Sequence, residues 1–172
     1  MPGTNMFSIS RNFSSHDRCV FVSHSSLDKS VAKDVADFLI HSRLDVYFDE
    51  YDSCLSGAIS DKAVVNCIHQ GLNGSTHALC ILSNNSLKSN WVPYEVGYSS
   101  ARKAPLALLV LSEVSSIPEF YKLATVIPDM RGLREYVRQL TGFQLLEKSA
   151  SFSLADTRIA KVVSSARTMS YH

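Results

Sequence analysis

The chain has 172 residues, 45% of them hydrophobic and 19% charged, with a formal net charge of +1. That describes one globular domain able to bury a core, and a near-neutral chain with no basic stripe is a poor match for a nucleic-acid backbone. The longest apolar stretch, Leu106 to Leu111, is too short to cross a bilayer, and Met1 to Asn5 lacks the charged and apolar regions of a secretory leader. A soluble, cytoplasmic protein without a membrane or nucleic-acid partner is expected.

Residues 1–16 are rich in Ser and Asn without a period and are expected to form a tail. Cys19 to Val22 is a continuous apolar run, the pattern of a strand buried on both faces. Ser23-His24-Ser25-Ser26 then offers helix caps, and Val31, Val35, Phe38 and Leu39 recur at helical spacing. Val46 to Phe48 is a second strand, followed by an acidic loop from Asp49 to Gly57. A helix from about Ile59 to Gln70 is expected to end at Gly71 and Gly74. Ala78 to Leu82 is a third strand, Trp91 to Arg102 a helix capped by Asn90, and Leu106 to Leu111 a fourth strand. Ile117-Pro118-Glu119 opens a short helix, Ala124 to Ile127 is a fifth, edge strand, and Leu133 to Leu140 is a helix with Gly142 beyond it. Leu154 to Val163 is one more amphipathic segment. The widely spaced Cys19, Cys54, Cys67 and Cys80 form no zinc pattern, and a chain of this size needs no disulfide framework.

Strands alternating with helices predict an α/β fold, with a parallel sheet of about five strands covered on both faces. Ligands bind such sheets outside the carboxyl ends of the strands. Those ends are Ser23-His24-Ser25, Asp49 to Gly57 and Ser83 to Trp91. On that rim, Trp91 and Glu95 are four residues apart and share a helix face. Glu95 also lies near a helix N-terminus, whose dipole favours a carboxylate. The plain alternative is a core tryptophan beside a solvated surface charge.

Three segments together resemble the Toll/interleukin-1 receptor (TIR) domain over roughly residues 17–140. Cys19-Val20-Phe21-Val22-Ser23-His24-Ser25-Ser26-Leu27-Asp28-Lys29 is similar to the family's first strand and loop, and Asp49 to Gly57 to its BB loop. Ser89-Asn90-Trp91-x-x-x-Glu95, preceded by Ser83, is similar to the helix that carries the catalytic glutamate of TIR enzymes. The resemblance implies a flavodoxin-like TIR fold at 17–140, a tail at 1–16 and a C-terminal helical extension at 141–172. It implies Glu95 as catalytic residue, with substrate contacts drawn from Phe21, Ser23, His24, Ser25, Lys29, Asp52, Ser83, Ser89, Trp91 and Tyr94. Each has a plainer reading: Ser23 and Ser25 as caps, His24 and Lys29 as surface groups, Asp52 as a turn acid, Ser83 as a small residue at a crowded strand end.

TIR enzymes cleave the nicotinamide–ribose bond of NAD+, which is a substrate, and the family needs no metal and no further cofactor. Nicotinamide leaves as a neutral amide from a cationic precursor, so the second carboxylate of ordinary glycosidases is dispensable. One carboxylate remains useful against an oxocarbenium-like sugar. An aromatic wall from Trp91 or Tyr94 suits the pyridinium ring, the two positions being expected to face apart. The chain also resembles standalone bacterial TIR proteins of Thoeris-type anti-phage systems, which implies a cyclic or conjugated ADP-ribose product, a separate effector that responds to it, and TIR–TIR homo-oligomers. A non-enzymatic TIR adaptor is the first alternative and a nucleoside deoxyribosyltransferase-like enzyme the second.

Overall fold

A computed structural model describes residues 18–48, 60–142 and 150–163. The apolar runs form parallel strands, β1 Cys19–Ser23, β2 Asp45–Tyr47, β3 His77–Leu82, β4 Leu106–Val110 and β5 Thr125–Ile127, in one sheet of order β2-β1-β3-β4-β5. This is the flavodoxin-like order. The chain runs outward from β1 to β2, then resumes at β3 on the other side of β1. In sheets of this order the switch in direction, here beyond the carboxyl ends of β1 and β3, is where ligands bind.

The helices are α1 Lys29–His41, α2 Asp61–Gly74, α3 Trp91–Ala101, α4 Met130–Thr141 and α5 Ala150–Val163, joined by three-residue 3-10 turns at Ser26–Asp28, Ser86–Lys88 and Glu119–Tyr121. Alternation along the strands divides the core between the two faces of the sheet. Val20, Val22, Leu79, Ile81 and Leu109 meet α1, α4 and α5 on one face. Phe21, Cys80, Leu82, Leu108 and Val110 meet α2 and α3 on the other. In α1 the helical spacing buries Val35, Phe38 and Leu39 completely, each side chain contributing about 1.5–3 kcal/mol of transfer free energy. Helix α5 adds Ile159 and Val163 to the same core, and its flank pairs Arg134 with Asp156 and Arg158 with Asp34.

Local structure departs from the sequence expectation at three places. Helix α2 runs on through Gly71, three residues short of its end, and stops at Gly74. Gly71 is there because the Tyr47 ring rests on it: a Cβ at this position would stand 2.3 Å from Tyr47 Cε1. Asn90 makes no side-chain cap on α3. Ser89 Oγ accepts instead from Trp91 N at 3.2 Å and Val92 N at 3.3 Å. Cys67 is disulfide-bonded, a cross-link that chain size gave no reason to expect; Cys19 and Cys80 are free thiols. The predicted stop of α4 holds: Gly142 adopts φ 73° and donates its N–H to Arg138 O, a left-handed cap that suits glycine.

No helix among the described residues is long and apolar enough to cross a membrane.

Candidate active site at the β1–β3 switch

Strand register builds the site. Ser23 and Cys80 are paired across β1 and β3, so their side chains leave the sheet on the same face. Helix α3 crosses that face, with Val92 and Val96 buried against the sheet and Glu95 between them. The Glu95 side chain is therefore drawn down onto the strand ends, where Ser23 Oγ donates to Oε2 at 2.5 Å. Glu95 is 6% exposed and Trp91, one turn earlier, is 40% exposed. That inverts the plain expectation of a core tryptophan and a solvated acid. The inversion follows from the small Ser23 and Cys80 at the strand ends, which leave room for a carboxylate and supply a hydroxyl donor.

Two neutral, buried groups, Cys80 and Tyr121, lie near Glu95. Burial, then the negative charge of Glu95, raises the Cys80 thiol far above its ordinary range, and a hydrogen bond with Ser23 opposes this. Burial, then Cys80, then Glu95, raises the Tyr121 phenol likewise. Tyr121 is fully buried and its hydroxyl has no hydrogen-bond partner among the described residues.

A second polar cluster ties the rim loops together. Asp28 Oδ2 accepts from Ser83 Oγ at 2.5 Å, and Asp28 Oδ1 accepts from Asn85 Nδ2 at 2.7 Å. Ser83 Oγ in turn accepts from Asn85 N and Ser86 N, at 3.1 and 2.9 Å. The β1–α1 and β3–α3 connections are thus one hydrogen-bonded unit, held at the switch point.

Outside Glu95 stands an aromatic ledge. Trp91 and Tyr94 touch edge to face, with centroids 6.1 Å apart at 88°. Sequence spacing had set them facing apart, but residues three apart on a helix are surface neighbours, and both rings turn outward here. The His69 ring of α2 is nearly parallel to that of Tyr94, hydrogen-bonded to its hydroxyl at 2.6 Å, and stacks on Tyr98 at 4.2 Å.

The remaining sequence candidates spread out from this centre. Phe21 is buried in the core beneath α2, stacked on Tyr47 at 5.3 Å. His24 is buried against Phe48, centroids 4.8 Å apart, with Nδ1 3.2 Å from Val22 O. Ser25 caps the turn at Leu27 N, Ser83 belongs to the Asp28 cluster, Ser89 caps α3, and Lys29 is exposed at the start of α1. Asp52 lies outside the described residues. Sequence reasoning passed over Cys80 and His69, whose roles depend on strand register and helix packing. It also passed over Asp28 as a site residue, although Asp28 stands in the first-strand motif. Among the described residues no group of three His, Cys, Asp or Glu side chains could hold a metal ion.

The family model for the TIR domain matches residues 20–141. The chain belongs to the TIR family. No curated protein matches it. The family match takes in all of β2 to β5, β1 from Val20 onward, the rim clusters and the Trp91–Glu95 helix, and it ends at the last residue of α4. TIR domains include NAD-cleaving enzymes and commonly self-associate.

Proposed function

We propose that this TIR protein cleaves the nicotinamide–ribose bond of NAD+ with Glu95 as the catalytic carboxylate. One observation carries the reading: the Glu95 carboxylate is gripped by Ser23 at the β1–β3 switch while Trp91, on the same helix face, stands exposed above it. A carboxylate held in that position can stabilise the positive charge that develops on the ribose as neutral nicotinamide departs. Held beside neutral Cys80 and Tyr121, it acts in a low-dielectric pocket where its charge counts for more than in water. The Trp91–Tyr94 ledge offers π faces to the cationic pyridinium ring. Water, an internal adenine or ribose group, or another nucleophile then captures the sugar cation. The proposed outcome is a cyclic or conjugated ADP-ribose that signals to a separate effector in anti-phage defence, with TIR–TIR self-association assembling the enzyme.

The test is incubation of the protein with NAD+, following nicotinamide release and identifying products by mass spectrometry. Wild type is expected to release nicotinamide and Glu95→Gln to lose that activity. Equal rates in the two would refute the catalytic role.

A second reading, a non-enzymatic adaptor, is favoured by the exposed Leu27, Phe120 and Leu123, at 78, 56 and 89%. Leu27 belongs to the connection after β1, and Phe120 and Leu123 to the connection between β4 and β5. Self-association in light scattering, with no nicotinamide release from the assembled form, would select it.

A further inference from the structure

Ser23 has one hydroxyl proton, and its disposition decides what the residue can do. The proton lies on Glu95 Oε2, with 2.5 Å between the oxygens, and Ser23 itself is 3% exposed. Cys80, its register partner on β3, is a neutral neighbour, since burial keeps that thiol protonated. The single Ser23 proton is therefore committed to Glu95 inside the protein.

We propose that Ser23 is a positioning residue: it fixes the rotamer and charge of the Glu95 carboxylate at the end of β1, and it does not contact the substrate. This rests on the NAD-cleaving reading of the site, but the hydrogen bond can be tested without turnover. A hydroxyl that donates to a carboxylate favours its charged form. Glu95 also faces Cys80 from β3 and Tyr121 from the turn after β4, and loss of the Ser23 donor removes a hydrogen bond that favours the charged form.

The experiment compares wild type with Ser23→Ala, Ser23→Thr and Ser23→Cys, first by carbon NMR of labelled glutamate carboxyls. The Glu95 signal is assigned by its absence in Glu95→Gln. In Ser23→Ala the Glu95 carboxyl is expected to titrate about one pH unit higher than in wild type. Threonine should restore the wild-type titration, and cysteine, a weaker donor, should fall between. An unchanged titration in both Ser23→Ala and Ser23→Cys overturns the proposal. Should Ser23→Ala fail to fold by circular dichroism, the near-isosteric cysteine variant carries the comparison. With NAD+, kcat is expected to drop about 10-fold in Ser23→Ala, less than the roughly 100- to 1000-fold that follows loss of a donor touching the transition state itself, while KM stays within about threefold. A raised KM at unchanged kcat would show a substrate contact and overturn the proposal. If wild type releases no nicotinamide, the catalytic reading fails while the titration still decides whether Ser23 holds Glu95.

Discussion

Asp28 and Glu95 are two nearly buried carboxylates at the same switch point, each accepting a serine hydroxyl at 2.5 Å. Asp28 leads into α1 and Glu95 belongs to α3, so they reach the rim from opposite faces of the sheet. Both oxygens of Asp28 accept donors from Ser83 and Asn85 on the next connection. Its charge is spent on binding two loops together. Glu95 accepts from Ser23 at the end of a strand and lies beneath an exposed tryptophan. Equal burial therefore comes with different partners: loop donors make a clasp at Asp28, and a strand-end donor under an exposed ring is the setting of the proposed site at Glu95.

Substitution at the two acids should separate those roles most widely. Glu95→Gln is expected to lower nicotinamide release by at least about 100-fold with little change in melting temperature. Asp28→Ala is expected to cost about 2–4 kcal/mol in urea unfolding, because Ser83 and Asn85 lose their acceptor in a buried setting. If Asp28→Ala spared stability and abolished turnover, the division of labour would be wrong.

The clasp can be probed from its other end. Ser83→Ala is expected to destabilise by about 1–3 kcal/mol, since it removes the donor to Asp28 and the acceptor for two backbone N–H groups.

Alkaline titration sharpens the Glu95 side of the contrast. Cys80, Tyr121 and Tyr136 have folded-state values raised above their ordinary 9.0 and 10.0. A raised value means that their contribution to stability is complete below about pH 9 and is lost as pH climbs, because only the unfolded chain releases those protons. Melting temperature should fall above pH 9, and the fall should be shallower in Cys80→Ala by up to one proton, about 1.4 kcal/mol per pH unit.

The smallest effect concerns the helix that presents Glu95. Ser89→Ala should cost about 0.5–1 kcal/mol by removing the cap on Trp91 N and Val92 N, while Asn90→Ala should change stability by less than about 0.3 kcal/mol.

Much of the fold was legible because buried parallel strands leave a mark that needs no partner. Cys19 to Val22, Ala78 to Leu82 and Leu106 to Leu111 are apolar without alternation, and each is a central strand here. The helix starting at Trp91 and the position of Glu95 on it were legible for the same local reason. Gly71 misled because its meaning lies in the Tyr47 ring packed on it, a contact between distant parts of the chain.

The sequence by itself determined which segments are strands and helices, and that one acid would sit in the first turns of the helix after β3. Tertiary structure alone decided that Glu95 is covered and Trp91 open, that Ser23 lies within 2.5 Å of a carboxylate 72 positions away, and that Asp28 meets Ser83 across 55. The reason is physical: β1 becomes a neighbour of β3 only when the whole sheet forms, and no local periodicity encodes which strand ends will meet.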